Sequence, residues 1–465
     1  MQAYIRIFPL FLALTAIGMV PNAWAADPWR TESLLPPMSA SSLVGKETGQ
    51  PCATALPQTA LTPQDAVDLA LCNHPQTREV WATARVQAAL LGVARAGYLP
   101  GIDGRVAVMR NFNDTADVTQ RTAALSLSWL LFDAGQRAAS VDNAQQLLDA
   151  ALATRDATVQ SLFLAALQTY YNAQATQAAV LAASEAERSA QESLSAAELR
   201  YQVGIATPAD RLQAQTAASQ ARLNRQRAEG DARNALGALA NALGFPAQTP
   251  LQLAALPAEQ RLPQDFQQNL DAMIAAAQVR RPDLKAAEAQ LQAAEASIAV
   301  ARAQGRPSLA LAAGPSWQRT DGVSSNGSSI GVVLNVPIFS GFENTYRVRS
   351  AEAQRDNRVA QRDRLRNQIT LDVWRAYQSL TTATQTLQTT RDLLASAEQS
   401  ARVALGRYKA GVGNVLDLLS AQSALANARV QRIQAELDWN IYRATLAQSM
   451  GALDYSLLQA AEEQR

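Results

Sequence analysis

The chain has a single histidine, His74, and only two cysteines, Cys52 and Cys72, among 465 residues. A His/Cys metal centre draws several ligands from those two residue types, so none is expected here. His74 stands directly before Pro75, where a structural role is the ordinary one, and there is no second histidine to share acid–base chemistry. No nucleophile motif and no glycine-rich phosphate loop occurs, so no catalytic, cofactor-binding or metal-ligating residues are expected and the chain does not read as an enzyme. The formal net charge is +1, which excludes the concentrated basic face that a nucleic-acid partner needs. Aromatic residues make up only 6%. Much of the apolar content is alanine instead, a composition that goes with long helices or coiled coils. Past residue 26 there is no apolar run near the ~20 residues of a membrane-spanning helix. Such a chain is either soluble or crosses a membrane as a β-barrel, the other spanning solution.

Turning to what is present, Arg6 precedes an apolar stretch from Ile7 to Val20, followed by Ala23-Trp24-Ala25. This is the order of a signal peptide with a small-x-small cleavage site. Residues 1–25 are therefore expected to be removed and the mature chain exported. Residues 26–60, rich in proline, serine and threonine, are expected to form an extended leader. Exported cysteines can oxidise. A Cys52–Cys72 disulfide tying down the leader is the expectation, with two free thiols as the alternative.

The rest of the mature chain is written twice. Pro75 and Pro282, Pro100 and Pro307, Phe132 and Phe339, and Gly244 and Gly451 each stand 207 positions apart, as 282 − 75 = 207 shows. One ungapped offset thus relates a first repeat, 61–244, to a second, 269–451, through a proline-containing linker, 245–268, with a tail at 452–465. In the first repeat Thr62-Pro63-Gln64-Asp65 starts a short helix. A second helix runs from Pro75 to about Gly97 and stops at Tyr98-Leu99-Pro100-Gly101.

Each repeat then carries one non-helical window, 104–132 and 308–339. In the first, strands at 105–112 and 122–132 flank the polar stretch Asn113-Asp114-Thr115-Ala116-Asp117. Leu125, Leu127, Trp129 and Leu131 alternate with Ala124, Ser126 and Ser128. Ile330, Val332, Leu334, Val336 and Ile338 alternate with Ser329, Gly331, Val333 and Asn335. Strands of roughly 9–11 residues, apolar on one face and small or polar on the other, suit a membrane barrel. A half-buried hairpin on a soluble core is the competing reading. Against it, each window stands alone between helices. Four strands cannot close a barrel by themselves, so several chains must contribute.

Long helices follow, from Gln136 to about Tyr201 and from Glu343 to about Tyr408, with no proline. At ~1.5 Å per residue each is on the order of 100 Å long. Shorter return limbs complete helical hairpins at 136–243 and 343–450. Their tips repeat a motif: Arg200-Tyr201-Gln202-Val203-Gly204 then Thr207-Pro208-Ala209-Asp210, and Arg407-Tyr408-Lys409-Ala410-Gly411 then Asn414-Val415-Leu416-Asp417. Gly204 and Gly411 are placed to close the long helices in the left-handed conformation. Thr207 with Asp210 reads as a capping box with Pro208 at the first helical position, and Asn414 with Asp417 as its relative. Capping alone suffices to explain either aspartate.

Taken together, the signal peptide, the duplicated helix–hairpin–long-helix order, the strand ends Leu131-Phe132-Asp133-Ala134-Gly135 and Ile338-Phe339-Ser340-Gly341, and the twin Tyr-x-x-Gly turns resemble the TolC-type outer-membrane efflux proteins, also called outer membrane factors. The resemblance runs from about residue 61 to 451. It implies a mainly α fold with a transmembrane β part. Duplicated long-helix hairpins form a trimeric α-barrel, and four strands per chain contribute to a 12-stranded β-barrel. It implies a homotrimer in the outer membrane, in contact with its lipid and extending into the periplasm, working with a periplasmic adaptor (membrane fusion) protein and an inner-membrane pump. Tyr408 and Asp417 match the family's periplasmic gate, where symmetry-related carboxylates in a narrow pore attract cations. Gly413 and Ser420 depart from the family's basic and second acidic positions. The turns bearing Val203, Gly204, Thr207, Asp210, Gly411 and Gly413 would be adaptor-docking tips. The second tip, with flexible Gly411 and Gly413, is expected to be the moving one, and the first, stiffened by Pro208, the fixed one. The implied function is the exit duct of a tripartite export system for small molecules. The alternatives are the outer-membrane part of a type I protein secretion system and a non-pore periplasmic coiled-coil adaptor.

Overall fold

The computed structural model describes residues 27–35, 56–57, 59–112, 117–254 and 269–453. The signal peptide, Cys52, residues 113–116, linker residues 255–268 and the tail from 454 lie outside them. Eight helices and four strands follow in the order α1 (Pro63–Asn73), α2 (Pro75–Ala96), β1 (Gly101–Phe112), β2 (Asp117–Phe132), α3 (Gln136–Gln202), α4 (Pro208–Ala242), α5 (Leu270–Arg280), α6 (Pro282–Gln304), β3 (Ser308–Thr320), β4 (Val323–Asn335), α7 (Glu343–Lys409) and α8 (Val415–Ser449). The offset holds element by element: 270 − 63, 343 − 136 and 415 − 208 each give 207. The long helices are 67 residues each. In the leader, expected to be extended, Glu32–Leu34 makes a single 3-10 turn.

The chain divides into two units. One, drawn from residues 1–36, 82–152 and 288–359, holds all four strands. They form one antiparallel sheet in the order β1-β2-β3-β4, so β1 and β4 are edges. The two hairpins therefore join side by side, through β2 and β3, into one sheet. β1 begins at Gly101 and β2 at Asp117, earlier than the alternation predicts. Asp117 is thus not loop but strand, opposite Phe112, with its carboxylate accepting from Arg110 at 3.0 Å. The second window corrects the expectation the other way. β4 ends at Asn335, so Val336 and Ile338 continue the apolar alternation without being strand. Pro337 is the cause: it has no N–H for a ladder and restricts the residue before it. Its counterpart is Leu130 (337 − 207 = 130), and there β2 runs on to Phe132.

Asp133 holds the passage from strand to helix in this unit. One carboxylate oxygen accepts from the backbone N–H of Arg137 at 2.8 Å and from its Nε at 2.9 Å, while the other accepts from the Gly135 N–H at 3.2 Å. Arg137 donates onward to the Leu130 carbonyl at 2.6 Å and lies over the Tyr98 ring at 4.8 Å. Burial opposes ionisation of Asp133, but the bonds from Arg137 and Gly135 outweigh it and hold its pKa below the ordinary carboxylate value. A depressed native pKa gives stability that is present above the unfolded value, about 3.9, and is lost as pH falls through the native one. Asp133→Ala should cost roughly 1–2 kcal/mol at the start of α3, the usual range for a lost cap, read as faster amide exchange in its first turn. That exchange should lose its acid dependence in the variant. In the second repeat Ser340 and Asn344 occupy these positions, so the corresponding change there should cost less.

The other unit comprises residues 37–81, 153–287 and 360–465. Its core is two equivalent packings. In the first, Phe163, Leu167 and Tyr170 of α3 meet Val67 and Leu71 of α1 and Leu239 of α4. In the second, Ile369, Val373 and Leu380 of α7 meet Met273 and Ala277 of α5 and Trp439 and Leu446 of α8. Gly244 and Gly451 end the return limbs with φ of 81° and 68°. A Cβ at either would strike backbone at the α1–α2 or α5–α6 junction, about Asn73 and Arg281. Each repeat thus closes on its own opening helices through a residue that must be glycine. His74 sits at the first junction, where its Nδ1 accepts from the Gln76 N–H at 3.2 Å.

Candidate functional site

Two features stand out, one in each unit. The first is a face of the sheet. Register places Ile102, Leu127, Ala313 and Ile330 side by side, with Trp129, Leu311 and Val332 in the adjoining row. Most of the large apolar residues of the four strands therefore lie on this face, with Met109, Leu130 and Val333 on the other. The apolar face is uncovered in the single chain: Ile102 is 70% and Ile330 78% exposed. The opposite face carries Gly101, Ser128, Ala312 and Gly331, again matched across the strands. An exposed apolar band of this extent is foreign to a water-facing surface. It is what the lipid side of a barrel requires, with small and polar residues facing the lumen. Both sheet edges also leave rows of backbone groups without partners.

The second feature is the pair of helix tips. At each, the N–H of the glycine bonds back three residues and the next N–H bonds back five: Gly204 to Tyr201 and Ile205 to Arg200, Gly411 to Tyr408 and Val412 to Arg407, all at 3.0–3.1 Å. This is the Schellman closure that left-handed glycine permits, with φ of 78° at Gly204 and 81° at Gly411. Thr207 and Asp210 form the full capping box, with Pro208 at the first helical position. The Asp210 carboxylate accepts from the Thr207 N–H at 2.9 Å and from its hydroxyl at 2.8 Å. At the second tip only half of that box exists. Asn414 accepts from the Asp417 N–H at 2.7 Å, and the Asp417 carboxylate makes no hydrogen bond among the described residues. Capping accounts fully for Asp210 and leaves the charge of Asp417 unspent, at an exposed position lining a groove with Ser400, Ala404, Arg407, Gly413 and Ala421.

The φ of Gly413 is not in the left-handed region. A Cβ there would come within 3.1 Å of Arg407 Cβ and of the Tyr408 nitrogen, so any side chain would press on the end of α7. Tyr408, expected at the gate, is buried, with Ala197, Ala214, Val415 and Leu418 around it. Val203, by contrast, is 69% exposed. Cys72 lies in α1, and Cys52 falls outside the described residues.

Arg200 stands in the tip motif with no task that the sequence reveals. Its guanidinium lies over the Tyr408 ring at 4.1 Å and donates to the Tyr408 carbonyl. Seven residues back along α3, Gln422 Nε2 donates to Ser193 Oγ at 3.0 Å. These contacts seal α3 against the second hairpin. The repeated Arg-Tyr pair was their only sequence signal.

A sequence profile described as "Outer membrane efflux protein" matches residues 66–245 and 273–452. The chain belongs to this family. The two matched stretches are the two repeats. The chain is 34% identical over 378 residues to Protein CyaE of Bordetella pertussis, covering 79% of each protein. It is 28% identical over 456 residues to the toluene efflux pump outer membrane protein TtgC of Pseudomonas putida, covering 91% of this chain and 90% of that one. Among solved structures, the CmeC outer membrane channel of Campylobacter jejuni shares the fold with a TM-score of 0.75 at 19% identity, over 91% of this chain and 94% of that one. As a member of the outer membrane efflux proteins, the chain is a transport component of the outer membrane that extends into the periplasm. The family is one of channels, not of enzymes.

Proposed function

We propose that three copies assemble into one channel, their four strands apiece closing a 12-stranded barrel and their helical hairpins a periplasmic conduit. The channel serves as exit duct of a tripartite system with a periplasmic adaptor protein and an inner-membrane pump. The observation that carries this reading is the four-stranded sheet, apolar and uncovered on one face and unpaired at both edges. Only further strands remove such edges within lipid. In this reading Tyr408 and Asp417 belong to the periplasmic gate. The turns with Val203, Gly204, Thr207, Asp210, Gly411 and Gly413 meet the adaptor.

The proposed cargo is small molecules, as in the pumps whose names record toluene and antibiotic efflux. Cells lacking the chain should become more sensitive to apolar toxic compounds and retain more of a fluorescent efflux dye. Unchanged sensitivity together with loss of a polypeptide from the medium would favour the protein-secretion alternative. The proposal also keeps the Cys52–Cys72 bond. Non-reducing peptide mapping should recover the two cysteines in one linked pair, and two alkylatable thiols would exclude it.

A further inference from the structure

Within one chain, the α3/α4 tip forms a groove that receives the second hairpin. Its floor is Ala197 and Ala214, and Tyr408, Val415 and Leu418 enter it. Two polar contacts lock the seam, Arg200 over Tyr408 and Gln422 to Ser193. The 207-residue offset carries this whole arrangement onto surfaces that a single chain leaves empty. Ala197 and Ala214 become Ala404 and Ala421, which line the groove between α7 and α8. Arg200 and Ser193 become Arg407 and Ser400, in the same groove. On the entering side Tyr408 becomes Tyr201 and Gln422 becomes Gln215. All four polar positions keep the same residue type, although Arg407, Ser400, Tyr201 and Gln215 are each exposed.

We infer that the α7/α8 tip groove of one copy receives the α3/α4 tip of a second copy, with Arg407 on the ring of Tyr201 of that copy and Ser400 bonded to its Gln215. The inference rests on the three-copy reading and specifies the register in which copies meet. Arg211 already lies over the Tyr201 ring at 4.9 Å, yet Tyr201 is still 37% exposed, leaving surface for a second guanidinium. Leu212 is 53% exposed, whereas its counterpart Leu419 packs against the buried tip cluster. The partner copy would cover it in the same way. The repeats differ where Val415 and Leu418 give way to Pro208 and Arg211. The seam between copies is thus more polar than the seam within one.

Ser400→Cys combined with Gln215→Cys tests this. The purified full chain in detergent is treated with a short bifunctional thiol reagent and separated under denaturing conditions. Species of two and three chains are expected from the double variant and from neither single variant, since those carry the same native cysteines. Ser193→Cys with Gln422→Cys, the contact within one chain, should stay at one chain. Absence of linked chains from a protein whose native mass is still three chains overturns the inference and leaves the trimer standing. A native mass of one chain removes both.

Discussion

Gly314→Ala should prevent the sheet from assembling, with the folded, heat-modifiable form lost from the outer membrane. β2 and β3 are where the two repeats join, and Gly314 of β3 stands directly against the β2 backbone. An added Cβ would stand 2.0 Å from the Leu125 carbonyl oxygen and 3.1 Å from its carbon. Both are backbone atoms of the neighbouring strand, so no side-chain rotation relieves the clash. Either the strands separate or the ladder shifts, and a one-residue shift moves every apolar side chain to the lumen face. The expected cost is roughly 3 kcal/mol, the upper end for over-packing. Gly331→Ala is the matched control. It is also a strand glycine, on β4, but nothing lies within 4 Å of its added Cβ, and normal assembly is expected. Equal yields of the two variants would show that the close approach at Gly314 has no consequence.

Asp417→Asn should lower the preference of the channel for cations several-fold while leaving assembly intact. The substitution keeps the side-chain size and keeps the Asp417 N–H bonded to Asn414. It removes three carboxylates from one assembled gate, where a ring of like charges selects for counter-ions. The folding cost is confined to the loss of one favourable charge at a helix N-terminus, about 0.3–1 kcal/mol. Asp210→Ala should do the opposite. It removes the acceptor of both bonds from Thr207 at a cost of about 1 kcal/mol and leaves selectivity as it was. Reversal potentials under a salt gradient separate the two. Equal selectivity in the Asp417 variant and the native channel would reduce Asp417 to a helix-end residue.

Much of this was legible in the sequence because the signals were local and duplicated. Long proline-free stretches set the 67-residue helices, and Gly204 and Thr207 marked a stop and a start that the backbone bonds bear out. Alternation in 122–132 named the apolar face correctly. It overran in the second repeat because apolar periodicity continues through Val336 and Ile338 while Pro337 has already ended the ladder. One local signal went unread: Asp321-Gly322, both at positive φ, is the two-residue turn that joins β3 to β4. The contacts of Arg200 with Tyr408 were of another kind, since they join residues 208 apart and no local pattern encodes such a meeting. Likewise, the half-made cap at Asp417 separates it from Asp210 only once both carboxylates are placed.

The central claim is that three chains make one conducting channel. Its most direct test is the native mass of the full mature chain in detergent, measured on the same sample that is added to a planar lipid bilayer. The account predicts a mass of three chains and discrete ionic conductance steps. A single chain that stays soluble without detergent and leaves the bilayer silent would contradict it.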